Sequence, residues 1–257
     1  MPMILLLALI GCSEPARVEV RVLDIWSKPL AGATVVQDGV QERFTTGSNG
    51  KVMVPVEEGE RHLMAGLDGY IKELATIEVP KDADDDDLAK VVLKLYPDPG
   101  SPGFYGVGPR DYIHLEATPI DSVATEISTW HGLRVHPKAS MSHTGDELRF
   151  VLHSTLRADE LKRQDLKLSS LRFVEEGEVL TVLGAQNVDL DLWVADSDVP
   201  FEVKGLQSRD DYLIVVKPIP ATGIYAFHAQ NILDSRNAEA LDKLPEELKV
   251  AFTFEIR

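Results

Sequence analysis

The chain has one cysteine, Cys12, in 257 residues. No internal disulfide and no cysteine-built zinc site can form. Basic residues are scarce too: 26 Lys and Arg face 42 Asp and Glu, for a formal net charge of −16. The field of such a chain repels phosphate backbones and anionic lipid, which argues against nucleic acid as a partner and leaves cationic partners open. Acidity by itself also serves solubility. The apolar run from Met1 to Cys12 is too short to cross a bilayer as a helix. The signatures of common enzymes are missing. No His is followed by Glu at the His-x-x-Glu spacing of zinc carboxypeptidases, and there is no His-Glu-x-x-His, Gly-x-Ser-x-Gly or Gly-Lys-Ser/Thr. Gly106-Val107-Gly108 is followed by Asp111 where a dinucleotide fingerprint needs Gly.

What is present fits an ordinary globular protein: 44% hydrophobic and 26% charged residues. The length suits two modest domains, each able to bury its own core. The N-terminus reads as a signal sequence over residues 1–11, and Leu9-Ile10-Gly11-Cys12 resembles the lipobox of bacterial lipoproteins. That resemblance implies cleavage before Cys12 and lipidation of its thiol. Neither Lys nor Arg precedes the apolar stretch, a departure from the pattern. A lone cysteine is otherwise most often a small buried thiol, but a core is not expected directly after an apolar leader. Ser13, which is not Asp, implies the outer membrane in an organism that has one. Ser13 to Arg17 then form a leash of roughly 17 Å between anchor and first strand. The membrane is met through the lipid anchor only.

From Val18 onward, short runs of period two are broken by Gly, Pro, Asn and Asp, which predicts an all-β protein of two β-sandwich domains. Val18, Val20 and Val22 alternate with Glu19 and Arg21, and Ala89, Val91, Leu93 and Leu95 alternate with Lys90 and Lys94. With candidates near residues 33–37, 42–46, 51–56, 61–66 and 70–79, the first domain has seven predicted strands. Asn49-Gly50 supplies a turn that accepts positive φ. Lys28-Pro29-Leu30-Ala31-Gly32-Ala33-Thr34-Val35, Gly47-Ser48-Asn49-Gly50-Lys51-Val52 and Asp68-Gly69-Tyr70 resemble, in order and spacing, the carboxypeptidase regulatory-like domain. The resemblance covers residues 17–96 and implies a transthyretin-like (Ig-like) sandwich, an extracellular accessory or spacer module without catalytic residues. Ile25-Trp26-Ser27 stand where that family has a small polar turn. Asp82, Asp84 and Asp86 alternate as in an EF-hand loop, but Asp87 and Leu93 occupy the positions that need Gly and Glu. A solvated hairpin tip is expected there.

Residues 97–110, rich in Pro and Gly, are predicted to be a linker. Residues 111–257 are predicted to be a second β-sandwich with short helical insertions at Ala158–Gln164 and Ser235–Leu244. Its strands are expected at Tyr112–Ala117, Leu148–His153, Val179–Leu183, Leu190–Val194, Tyr212–Val216, Ile224–His228 and Leu248–Ile256. Five of the seven histidines, His114, His131, His136, His143 and His153, fall near its start. If they converge they can bind zinc or copper; separately solvated or hydrogen-bonded, they bind nothing. Trp193 in Asp189-Leu190-Asp191-Leu192-Trp193-Val194 shares a face with two acids, as a contact residue would, or packs under a neighbouring loop.

These features predict a non-catalytic cell-envelope lipoprotein acting as a binding or structural and assembly module, with an envelope protein or polysaccharide as partner. No cofactor, catalytic residue or metal ligand is assigned; Cys12 is the lipidation site. The alternatives are a surface polysaccharide-binding module, which needs aromatics on a solvated strand face, and a metal-dependent enzyme, which needs converging histidines.

Overall fold

The computed structural model describes residues 16–81, 90–124, 129–141, 145–157, 159–160, 165–229, 232–233, 241, 244 and 248–257. Cys12, Asp82 to Asp87 and His143 lie outside them. The protein is all-β, and it divides into two compact units between Asp98 and Pro99.

The first unit is a sandwich of two four-stranded sheets. One holds β1 (Ala16–Asp24), β4 (Lys51–Val56), β6 (Tyr70–Ile71) and β8 (Val91–Pro97); the other holds β2 (Thr34–Gln37), β3 (Arg43–Thr45), β5 (Gly59–Gly66) and β7 (Glu73–Val79). Period-two alternation selects the inward face: Val18, Val20 and Val22 on β1 meet Val54 and Val56 on β4, Leu93 and Leu95 on β8, and Val35, Leu63 and Ala65 from the opposite sheet. There are eight strands where seven were predicted. Residues 70–79 do not form one strand: Tyr70 and Ile71 pair with β8, then the chain crosses at Lys72 to pair Glu73–Val79 with β5. Alternation cannot reveal this, because both halves keep the same period.

The turn motifs hold these sheets in register. Gly50 has φ of 73°, and a Cβ there would stand 2.5 Å from the Val22 carbonyl oxygen. The turn lies this close because Val22 N–H donates to Gly50 O at 2.7 Å and Leu30 N–H donates to Val22 O at 3.0 Å. Buried Thr46 donates its hydroxyl to Leu30 O at 2.7 Å and accepts from Ala33 N–H at 2.9 Å, tying the Lys28–Val35 segment to β3. Ile25-Trp26-Ser27 form a turn because the Asp24 carboxylate accepts from Trp26 N–H and Lys28 N–H, and Ser27 takes φ of 69°.

Glu73, half-buried at the start of β7, has its carboxyl pushed above the ordinary 4.5 by burial. The native state then holds this proton more firmly than the unfolded chain, so this residue's contribution to stability falls as pH rises through 4.5 and above. Glu73→Gln is expected to raise the melting temperature of the first unit at about pH 7 and to leave it unchanged at about pH 3, where both states carry the proton. Melts across that range check the sign.

The second unit is also a sandwich. Its five-stranded sheet runs β10 (Tyr112–Leu115), β9 (Gly103–Val107), β15 (Leu148–His153), β19 (Asp211–Val216), β18 (Glu202–Gly205). The facing sheet runs β11 (Ala117–Pro119), β21 (Val250–Ile256), β20 (Gly223–Ala229), β16 (Leu166–Thr181), β17 (Gly184–Asp198), with β14 (Ser140–Met141) also on β21. A separate hairpin joins β12 (Asp121–Ala124) and β13 (Thr129–Gly132). Aromatic rings fill the space between the sheets: Phe227 meets Phe104, Phe150, Phe201 and Phe254 at centroid distances of 4.7 to 5.9 Å.

Two expectations are corrected here. Residues 97–110 are not a linker throughout, since Pro97 ends β8 and Gly103–Val107 is a core strand between β10 and β15. The glycines that suggested a flexible tether permit close packing instead; a Cβ on Gly106 would stand 2.4 Å from the Met141 sulfur. The predicted strands at Val179–Leu183 and Leu190–Val194 are parts of one long hairpin, β16–β17, whose turn contains Val182 and Leu183. Of the expected helices, Asp159 and Glu160 are helical. Leu241 and Leu244 lie in a turn and a bend, and the other residues of those two segments are outside the described set.

Candidate functional site

Strand register brings one end of both sheets of the second unit together. Gly103 pairs with His153 where β9 begins and β15 ends, Leu166 pairs with Ala229 where β16 begins and β20 ends, and Ala117 pairs with Phe252. At this end lies a cleft of about 530 Å³. Its apolar wall includes Phe104, Leu152, Leu156, Leu166, Val250 and Phe252. The Phe104 ring stacks on Phe227 at 4.7 Å and meets Phe252 at 4.6 Å, so the floor is continuous with the buried core. A mostly apolar concavity of this volume with a few polar groups suits a small-molecule or apolar-segment site.

Three histidines border the cleft, and each is held. His114 stacks on Tyr105 at 4.9 Å. His153 Nδ1 is 2.8 Å from Asp211 Oδ1, and Ser208 donates its hydroxyl to the other oxygen of that carboxylate. Given an acceptor carboxylate, Nδ1 carries the proton in this pair. Buried His228 has Nε2 3.0 Å from Ser169 Oγ, whose hydroxyl also lies 3.2 Å from Asp198 Oδ1. The order Asp–Ser–His is not that of a nucleophilic triad, in which the carboxylate orients the imidazole. Ser169 is also buried. The Tyr212 hydroxyl points at Leu156 O and Arg209 O, at 3.4 and 3.5 Å, bracing the loop that forms one wall. Burial and the Asp210 carboxylate raise the pKa of this phenol, which keeps it a neutral donor.

Among the described residues, the histidine-rich segment does not converge. His114 and His153 reach the cleft, whereas His131 sits opposite Ser122 in the β12–β13 hairpin with Nδ1 2.7 Å from Ser122 Oγ. His136 meets the Trp193 ring edge-on at 5.6 Å. No three histidines among the described residues bring ligand atoms within 4.8 Å of one another. Ser122 and His131 are a directly opposed cross-strand pair, and neither borders a described cleft, so their contact holds hairpin register. His228 went unnoticed in the sequence because a single histidine in an otherwise buried strand carries no periodic signal.

Trp193 takes the packed alternative. Leu190, Leu192 and Val194 are buried as alternation required, while Trp193 is half-buried against Phe173 at 5.3 Å and His136, its backbone paired with Leu133. Trp26 and Trp130 are likewise half-buried, and Phe173, beside Trp193 on the neighbouring strand, is exposed. Two further clefts, of about 690 Å³ beside Arg157 and Arg209 and about 520 Å³ beside Arg43 and Lys72, have charged rims and lack a continuous apolar floor.

No protein-family model matches this chain, and no curated protein matches it. Among solved structures it is similar to BcpA, the major pilin subunit of Bacillus cereus, at 13% identity and a TM-score of 0.27, over 94% of this chain and 68% of that one. So loose a superposition leaves function to be argued from the site. Among the described residues, no helix is long and apolar enough to cross a membrane.

Proposed function

We propose that the protein is a cell-envelope lipoprotein, lipidated on Cys12, that binds rather than catalyses, with the apolar cleft of the second unit as its ligand site. The cleft carries this reading, because its polar groups are engaged in holding strand ends while its floor is open hydrocarbon and ring surface. The ligand it suits has an apolar body and few polar atoms, as an apolar segment of an envelope partner would have. The lipobox-like Leu9 to Cys12 supports the anchor, and Ser13 after it supports an outer-membrane location. The first unit then serves as a spacer of the carboxypeptidase regulatory-like kind; its Gly50 turn and the Thr46 bridge between the matching segments support that assignment.

The test has two arms. An environment-sensitive apolar dye should bind the purified chain saturably, and Ala117→Trp, placed at the exposed cleft mouth, should weaken binding at least about tenfold without lowering the melting temperature. Saturable binding that survives this substitution would remove the cleft from the proposal. Labelling with a radioactive fatty acid should mark the wild type and not Cys12→Ser; equal labelling would remove the anchor.

A further inference from the structure

The β16–β17 hairpin is longer than its sheet requires. β16 pairs with β20 only over Leu166–Leu171; from Arg172 to the turn β16 pairs with β17 alone, and β17 adds a single outside bridge, Trp193 with Leu133. The β12–β13 hairpin braces it, with Trp130 donating Nε1–H to Glu178 O at 3.2 Å and with Val123 and Trp130 packed against the buried cluster of Val174, Leu190, Leu192 and Val194. The tip is pinned as well. Thr181 donates its hydroxyl to Gly184 O at 2.8 Å and accepts from Leu183 N–H at 3.2 Å, and Gly184 takes φ of 120°. This turn presents Val182 and Leu183 at 74% and 88% exposure, the two most exposed large hydrophobic side chains among the described residues. Single exposed aliphatics on strand faces are normal, but an adjacent pair on a braced protrusion marks a contact point.

Charge selects what it contacts. From residue 173 to residue 203 the chain has eight carboxylates and no Lys, Arg or His. Glu175, Glu176, Glu178, Asp189 and Asp191 on the ribbon are exposed. An anionic bilayer would repel this ribbon, and so would a second copy of a chain with net charge −16. We infer that the hairpin tip docks a protein partner that presents an apolar socket ringed by Lys or Arg. Val182 and Leu183 fill the socket, and the ribbon carboxylates meet the basic rim and steer the encounter. The site is independent of the cleft.

The experiment uses the full chain in its own cells, with Leu183 replaced by a photoreactive phenylalanine analogue and the same replacement at exposed Val92 as control. The expected result is one discrete adduct from position 183 and none from position 92, with a cross-linked partner peptide in which apolar residues are flanked by Lys or Arg. Combining Glu175→Lys, Glu176→Lys and Glu178→Lys should reduce the adduct at least about tenfold while the melting temperature holds, since exposed charges contribute little to stability. An adduct to lipid, an adduct to this chain, no adduct above the Val92 control, or an adduct indifferent to the charge reversal would each overturn the inference.

Discussion

Phe227→Ala is expected to lower the stability of the second unit by about 4 kcal/mol, a fall of about 10 °C in its melting transition. The ring is fully buried and stands among Phe104, Phe150, Phe201 and Phe254, which belong to strands on both sides of the sandwich or to the segment beside β18. Removing it opens a cavity that these neighbours cannot close without leaving their rotamers, because each is fixed by its own strand or, for Phe201, by the segment leading into β18. The first unit draws its core from Val18 to Leu95 alone. Its transition should therefore not move, and calorimetry resolving two transitions is the check. Movement of both would show that the units share cooperativity. The substitution should also weaken apolar dye binding, since Phe227 supports the Phe104 floor of the cleft.

Gly50→Ala is expected to act on the other transition, costing the first unit about 3 kcal/mol. Two effects add: φ of 73° is unfavourable for alanine, and its Cβ would press on the Val22 carbonyl oxygen from 2.5 Å and on Leu30 N from 3.2 Å. These atoms belong to the hydrogen bonds that hold the turn on β1, so relief requires the turn to lift and lose them. Gly39, which has φ of 76° and no neighbour within 4 Å of a Cβ, is the matched control. Gly39→Ala should cost only the backbone term, about 1 kcal/mol. Equal losses at the two positions would mean that the close approach at Gly50 contributes nothing.

Much of the fold was legible because burial follows period two wherever one strand face is wet. Val18, Val20 and Val22, Val91, Leu93 and Leu95, and Leu190, Leu192 and Val194 all point inward as their alternation requires. The sequence misled where that condition failed. Gly103–Val107 is buried at four of its five positions, so it shows no alternation, and its glycines read as a tether. Beyond Leu171, where β20 no longer pairs with it, the alternation of β16 is broken by Glu175, Glu176 and Gly177, and that break hid its length.

The candidate sites were less legible than the strands. The clustering of histidines was a true feature of the chain and a poor guide, since strand register sends His114 and His153 to the cleft, His131 into a hairpin and His136 onto Trp193. The cleft is assembled from strand ends as distant in sequence as Gly103 and Phe252, and no local pattern links them. Val182 and Leu183 looked like the end of a strand until the turn between β16 and β17 placed them at a tip.

By itself the sequence determined the all-β class, the inward faces of the regularly alternating strands and the sharp turn at Asn49-Gly50. Each depends on a residue's own conformational preference or on neighbours one or two positions away. Only the tertiary structure decided that Gly103–Val107 is core, that the chain changes sheets at Lys72, and that a cleft and an exposed hairpin tip exist. Those depend on which strands pair at long range, and pairing is set by the joint packing of side chains from the whole unit, a property no window of sequence contains.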